Sequence, residues 1–133
     1  MRIYFYIYLS QSKTSSIKKK ILFIDDEPTL LEIAPLLFED YQVLTTSDAA
    51  AVLELIASFE PDVVMIDIIM GIIDGNTLCR QIKTHPRFST LPVVLMTAGF
   101  LQQKDKLSGA DGYIEKPFDI VSTLSLIELL TAG

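Results

Sequence analysis

The sequence predicts an α/β fold: a doubly wound, five-stranded parallel sheet of order 2-1-3-4-5 with helices on both faces. Three observations carry that expectation. Short runs of β-branched and apolar residues recur at 21–24, 41–45, 62–66, 92–96 and 113–115, and runs of this length bounded by turn residues read as strands. Stretches with helical spacing stand between them, and such alternation implies parallel strands joined by right-handed crossovers. Most of the strand runs are almost continuously apolar, as strands covered on both faces must be. The order 2-1-3-4-5 puts a switch point between the first and third strands, where open sheets of this kind bind ligands.

Residues 1–17 stand outside the alternation. Ile3, Tyr4, Phe5, Tyr6, Ile7, Tyr8 and Leu9 form an apolar, aromatic run. It is too short for a membrane span of about 20 residues, and it matches a signal peptide poorly because a basic cluster follows it. The expectation is an N-terminal extension that is disordered or adds as an edge strand, or a start assigned too early, with the domain itself over 18–133.

The first strand, 21–24, runs into Asp25, Asp26, Glu27 and Pro28, the proline being suited to open a helix. Leu30, Leu31, Ile33, Ala34, Leu37 and Phe38 give that helix an apolar face, and Pro35 predicts a kink or a shortened turn in it. After a second strand at 41–45, Ser47 is the expected cap of a helix to about Phe59, which Pro61 ends. The central strand leads directly into Asp67. A third helix is expected from 76 to about 83, the fourth strand at 92–96 and a short charged helix at 101–108. A turn at 109–112 enters the fifth strand, and a last helix starts at Asp119 or Ser122 and runs to Leu130.

At 133 residues the chain fits one domain that can bury a core without disulfides or a structural metal. A formal net charge of −6 argues against nucleic acid as a direct ligand. The single cysteine, Cys79, forms no internal disulfide and fits a reducing compartment; the expected location is cytoplasmic, with no membrane partner.

The predicted topology brings Asp25, Asp26 and Asp67 to the switch point. Unit charges about 4 Å apart cost on the order of 4 kcal/mol at an effective dielectric of 20, so three acids there need a cation or a shared proton. An all-oxygen cluster suits Mg²⁺, which keeps waters and leaves positions for phosphoryl oxygens. Thr97 ends the fourth strand and Lys116 follows the fifth at the same edge. A carboxylate nucleophile, a metal, a hydroxyl and an ammonium are the parts that phosphoryl transfer to a carboxylate requires.

With these residues in order, the chain resembles a response-regulator receiver domain, the phosphoaccepting half of two-component signalling. The resemblance covers 18 to about 130 and rests on Asp25, Asp26 and Glu27; Asp67 with Met70, Asp74 and Gly75; Thr97 with Ala98; and Lys116, Pro117 and Phe118. It implies a flavodoxin-like fold and a switch or relay module that catalyses only its own phosphorylation and dephosphorylation. Asp67 would be the phosphoacceptor. Asp26, Asp67 and the backbone carbonyl of Ile69 would ligate Mg²⁺, with Asp25 acting through water. Thr97 and Lys116 would hold phosphoryl oxygens, and Thr97 with Tyr113 would form the switch that changes the surface of the fourth helix, fifth strand and fifth helix. A cis peptide is implied at Pro117. The implied partners are a sensor histidine kinase or histidine phosphotransfer protein, and a downstream protein or a second copy meeting the last two helices.

Two departures carry expectations of their own. Gly71 stands where the family often has proline, implying a more mobile loop. Ile69, two residues after the acceptor, cannot orient water, implying slow self-dephosphorylation. Competing readings fit less well. A phosphohydrolase with an Asp nucleophile wants a second acid where Ile69 stands, and a flavin-binding fold wants a phosphate loop where Asp25, Asp26 and Glu27 would repel phosphate. A receiver fold acting as an unphosphorylated interaction scaffold is the remaining alternative. Asp74 and Gly75 read most simply as a turn, and His85 as a helix-end residue. Apolar residues on more than one face of the last helix point to a partner. With Gly133 the last residue, the expectation is a regulator that signals by docking or a piece of a larger regulator or hybrid kinase.

Overall fold

The computed structural model describes residues 18–132; the expected extension over 1–17 lies outside the described residues. Strands β1 (Lys20–Ile24), β2 (Gln42–Thr46), β3 (Val63–Asp67), β4 (Val93–Thr97) and β5 (Gly112–Glu115) form one parallel sheet of order β2-β1-β3-β4-β5. This is the predicted order. Helices α1 (Pro28–Leu37), α2 (Val52–Phe59), α3 (Gly75–Lys83), α4 (Gln103–Lys106) and α5 (Ile120–Leu130) connect and follow the strands.

The two-residue period of a strand divides the core into two layers. Leu22, Ile24, Val64, Ile66, Val93 and Leu95 face Val52 and Ile56 of α2 and Leu78, Cys79 and Ile82 of α3. The intervening Ile21, Phe23, Val63, Met65, Val94 and Met96 pack against Ala34 of α1, Phe38 and Ile127 of α5. Phe23 centres the second layer, its ring 6.2 Å from that of Phe38 and 6.3 Å, edge to face, from that of Phe118. All five residues of β3 and of β4 are buried, which explains their unbroken apolar runs.

Helix α1 contains Pro35 and ends two residues after it, at Leu37. Other local expectations change. Asp48, not Ser47, accepts from the Ala50 N–H and caps a 3-10 turn, Ala49–Ala51, that precedes α2. Helix α4 is only four residues long and is closed by a capping box between Gln102 and Asp105. The last helix takes the earlier of its two expected starts, after Asp119.

The segment after β3 is more ordered than a turn. Ile69–Met70 pairs antiparallel with Ile73–Asp74 in a small hairpin. Gly71 turns that hairpin at φ +57°, a conformation proline cannot reach. Asp74 is the N-cap of α3, its Oδ1 accepting from the Asn76 N–H at 2.9 Å. Helix α3 sits directly on the end of β3: the Gly75 N–H donates to the Ile68 carbonyl at 2.7 Å, and a Cβ on Gly75 would stand 2.2 Å from the Asp67 carbonyl oxygen. Gly75→Ala therefore forces the two elements apart and is expected to destabilise the fold by about 1–3 kcal/mol, measured by urea denaturation.

Candidate functional site

The sheet's backbone ladder extends past the strand ends and fixes the residues that follow them. The Asp25 N–H donates to Thr46, that of Ile68 to Met96 and that of Lys116 to Thr97, at 3.2, 2.9 and 2.7 Å. Asp25, Asp67, Thr97 and Lys116 are thereby held along one edge. Asp25 is fully buried and Asp67 is 6% exposed, whereas Asp26 faces solvent. One carboxylate oxygen from each of the three lies within 4.8 Å of the others.

Lys116 is the cation of this cluster. Its Nζ stands 2.7 Å from Asp25 Oδ2 and 3.6 Å from Asp67 Oδ1. Asp25 Oδ1 accepts from the Glu27 N–H at 3.0 Å, so Asp25 is held on one oxygen by that hydrogen bond and on the other by the ion pair to Lys116. Burial pushes the Asp67 carboxyl up, Asp25 adds to this, Lys116 opposes it, and the outcome is about 6. Burial works against the charge on Lys116, but Asp25, Asp67 and Glu27 more than offset it and hold the ammonium above its ordinary range. A single lysine does not neutralise three acids, and an all-oxygen cluster short of positive charge suits a hard divalent cation. The peptide between Lys116 and Pro117 is cis, as the resemblance implied.

The rim is apolar. Ile69 and Ile72 are 72% and 100% exposed, and Phe100 is 91% exposed on the loop after β4. Ile68, by contrast, is buried in the core. The Ile69 backbone N–H favours the charged form of Asp67, opposing the effect of burial. Thr97 is buried, its hydroxyl accepting from the Gly99 N–H at 3.1 Å and facing the Gly99 carbonyl at 3.3 Å. Tyr113 is half-buried on β5, opposite Leu95 of β4. Its hydroxyl donates to the Asp105 carbonyl at 3.1 Å. His85 is engaged elsewhere, stacked on Phe88 with its Nδ1 accepting from the Arg87 N–H.

The response regulator receiver domain family matches residues 21–128. The chain belongs to that family. It is 32% identical over 117 residues to the DNA-binding dual master transcriptional regulator RpaA of Synechocystis, covering 84% of this chain and 48% of RpaA. Protein PilG of Pseudomonas aeruginosa is 31% identical over 114 residues, which is 82% of this chain and 84% of PilG. Among solved structures, the signal receiver domain of a signal transduction histidine kinase from Syntrophus aciditrophicus superposes with a TM-score of 0.76 at 30% identity, covering 86% of this chain and 91% of that one. The chain spans 48% and 26% of the first two curated regulators it matches. Among the described residues of this receiver domain, no helix is long and apolar enough to cross a membrane.

Sequence reasoning named every acid and cation of the cluster but missed two buried polar residues behind it. Asn76 donates to Asp105 at 2.7 Å, and both are at most 3% exposed. Burial raises the Asp105 carboxyl, but bonds from the Gln102 N–H and the Asn76 amide more than reverse this and hold it below the usual carboxylate range. The spacing of Gln102 and Asp105 as a capping box was the available signal.

The raised Asp67 carboxyl has a consequence for stability. Folding lifts it from 3.8 to about 6, so the folded state holds this proton more tightly than the unfolded chain. Its contribution is neutral below the unfolded value and turns unfavourable as pH rises toward 6. In metal-free buffer Asp67→Asn is expected to stabilise the domain at pH 7 by on the order of 1–2 kcal/mol, with the difference vanishing below about pH 4. Thermal melts of both proteins across that pH range check this.

Proposed function

We propose that this receiver domain is a phosphorylation switch or relay module in which Asp67 accepts a phosphoryl group from a phosphohistidine on a sensor kinase or phosphotransfer protein. The observation that carries the reading is Asp67 itself: a nearly buried carboxylate with a lysine 3.6 Å away and two further acids within 4.8 Å. A carboxylate oxygen attacks phosphorus as the bond to the imidazole nitrogen breaks, and the imidazole leaves with the electron pair of that bond. The product is an acyl phosphate on Asp67.

The residues present fit Mg²⁺ by their donor chemistry. Asp26 and Asp67, with the Ile69 carbonyl, would hold it directly and Asp25 through water; when bound, it neutralises charge on the acids and on the phosphoryl oxygens. Lys116 pairs with a phosphoryl oxygen, relinquishing part of its hold on Asp25. Thr97 turns its hydroxyl from Gly99 to another oxygen. These groups act by positioning and by neutralising charge, the main requirements of phosphoryl transfer.

Movement of Thr97 and Tyr113 would alter the surface of α4, β5 and α5. Exposed Val121 and Leu129 on α5 and Leu107 after α4 support contact there with a downstream protein or a second copy. On the other side of Lys116, a groove of about 500 Å³ lined by Leu30, Ile33, Pro117, Phe118 and Ile120 supports apolar docking of the histidine donor. The chemistry is confined to the domain's own aspartate, and residues 18–133 act as one unit in a reducing, cytoplasmic setting.

Intact mass after incubation with acetyl phosphate and Mg²⁺ tests the reading. One added phosphoryl group is expected in the wild type and none in Asp67→Asn or with the metal chelated. Lys116→Ala is expected to slow the gain by on the order of 10²-fold. No gain in a folded wild type with either acetyl phosphate or a panel of phosphohistidine donors would instead favour an unphosphorylated scaffold. Because the Ile69 side chain offers no hydrogen bond to an attacking water, Ile69→Asn is expected to shorten the phosphoprotein half-life several-fold, followed by loss of the added mass with time.

A further inference from the structure

A buried polar cluster lies where α3 meets α4, and no step of the reaction above uses it. Asn76, 1% exposed, donates from Nδ2 to Asp105 Oδ1 at 2.7 Å, and Asp105 is 3% exposed. Asp105 Oδ2 accepts the Gln102 N–H at 2.7 Å. The Asp105 carbonyl accepts both the Ser108 hydroxyl at 2.8 Å and the Tyr113 hydroxyl at 3.1 Å. Asn76 Oδ1 is buried with no hydrogen-bond partner among the described residues. Polar side chains this deep are costly unless bonded, so these contacts decide where their helices sit.

Asn76 lies in the first turn of α3, the turn seated against the backbone of Asp67 and Ile68 through Gly75. Asp105 belongs to α4, whose four residues cannot sustain a helix by backbone bonds alone. The two side chains therefore tie the element resting on the acceptor to the element holding Tyr113. Thr97 takes no part in this path, its hydroxyl being bonded to Gly99.

We propose that the Asn76–Asp105 pair is a latch that holds α4 and the Tyr113 hydroxyl in the resting arrangement, and that it opens when Asp67 is phosphorylated. The latch rests on the reading of Asp67 as the acceptor. Asn76 and Asp105 are positioning residues: they act on the switch through Tyr113 and α4 without touching the phosphoryl group.

Linkage supplies the test. If the latch favours the resting state, weakening it must raise affinity for a ligand that favours the phosphorylated one, by the same free energy. The probe is beryllofluoride with Mg²⁺, a phosphoryl mimic for carboxylates, titrated into the full chain by calorimetry. Amide exchange of residues 103–108 is followed in the free protein. Asn76→Leu is expected to bind the probe about five-fold or more tightly and to exchange faster over 103–108. Tyr113→Phe, which removes only the hydroxyl contact, shifts affinity the same way by less. Combining Asn76→Asp with Asp105→Asn restores a donor facing an acceptor and returns affinity toward the wild type, a rescue that loosened packing alone would not give. Faster exchange with unchanged or weaker binding in Asn76→Leu overturns the latch. Should that variant fail to fold, unchanged binding in Tyr113→Phe overturns it. No binding to the wild type, or equal binding to Asp67→Asn, overturns the acceptor reading and the latch with it; binding indifferent to Asn76 overturns the latch alone.

Discussion

Three carboxylates share one sheet edge with one lysine, and the charge this leaves uncompensated governs how the site is built. Two like charges about 4 Å apart repel by on the order of 4 kcal/mol at an effective dielectric of 20. The fold divides that load unevenly. Asp25 is buried and tied to Lys116 and to the Glu27 N–H, Asp26 is left in solvent, and Asp67 stands between them with its carboxyl pushed up to about 6. A group in that position gains from any cation that offsets its charge. A cluster of carboxylates short of positive charge favours a hard divalent cation.

Such a cluster persists only because the surrounding framework is rigid. Strands β1 and β3 are interior, with Ile21–Ile24 and Val63–Ile66 apolar and buried, and backbone bonds continue one residue beyond their ends. Gly75 lets α3 rest against the Asp67 carbonyl with no room for a side chain. The parts expected to move lie on the opposite side of the site: a four-residue α4, the loop carrying Gly99 and Phe100, and Tyr113 hung from the Asp105 carbonyl. A stiff acceptor beside a short, side-chain-anchored helix is a reasonable construction for a switch, since little backbone structure need be broken for α4 to shift.

Much of this was legible in the residues. Strand positions follow from continuous apolar runs, and the sheet order from their alternation with helices, so the convergence of Asp25, Asp26, Asp67, Thr97 and Lys116 could be derived from topology. What escaped was set by side chains meeting across long separations or by single dihedral angles. The hairpin over residues 69–74 is two residues per strand, below the length at which a period shows, and its Gly71 takes a φ that composition does not announce. The contraction of α4 depends on Asp105 turning inward to Asn76, 29 residues away in sequence.

The central claim is that Asp25, Asp26 and Asp67 form a divalent-cation site whose occupation relieves their repulsion. Its most direct test is the melting temperature of the metal-free protein across a Mg²⁺ series at neutral pH, set beside Asp26→Ala. The account predicts a saturable rise for the wild type, following RT ln(1 + [Mg²⁺]/Kd), and a much smaller one for the variant. A flat response, or an equal rise in both proteins, would contradict it.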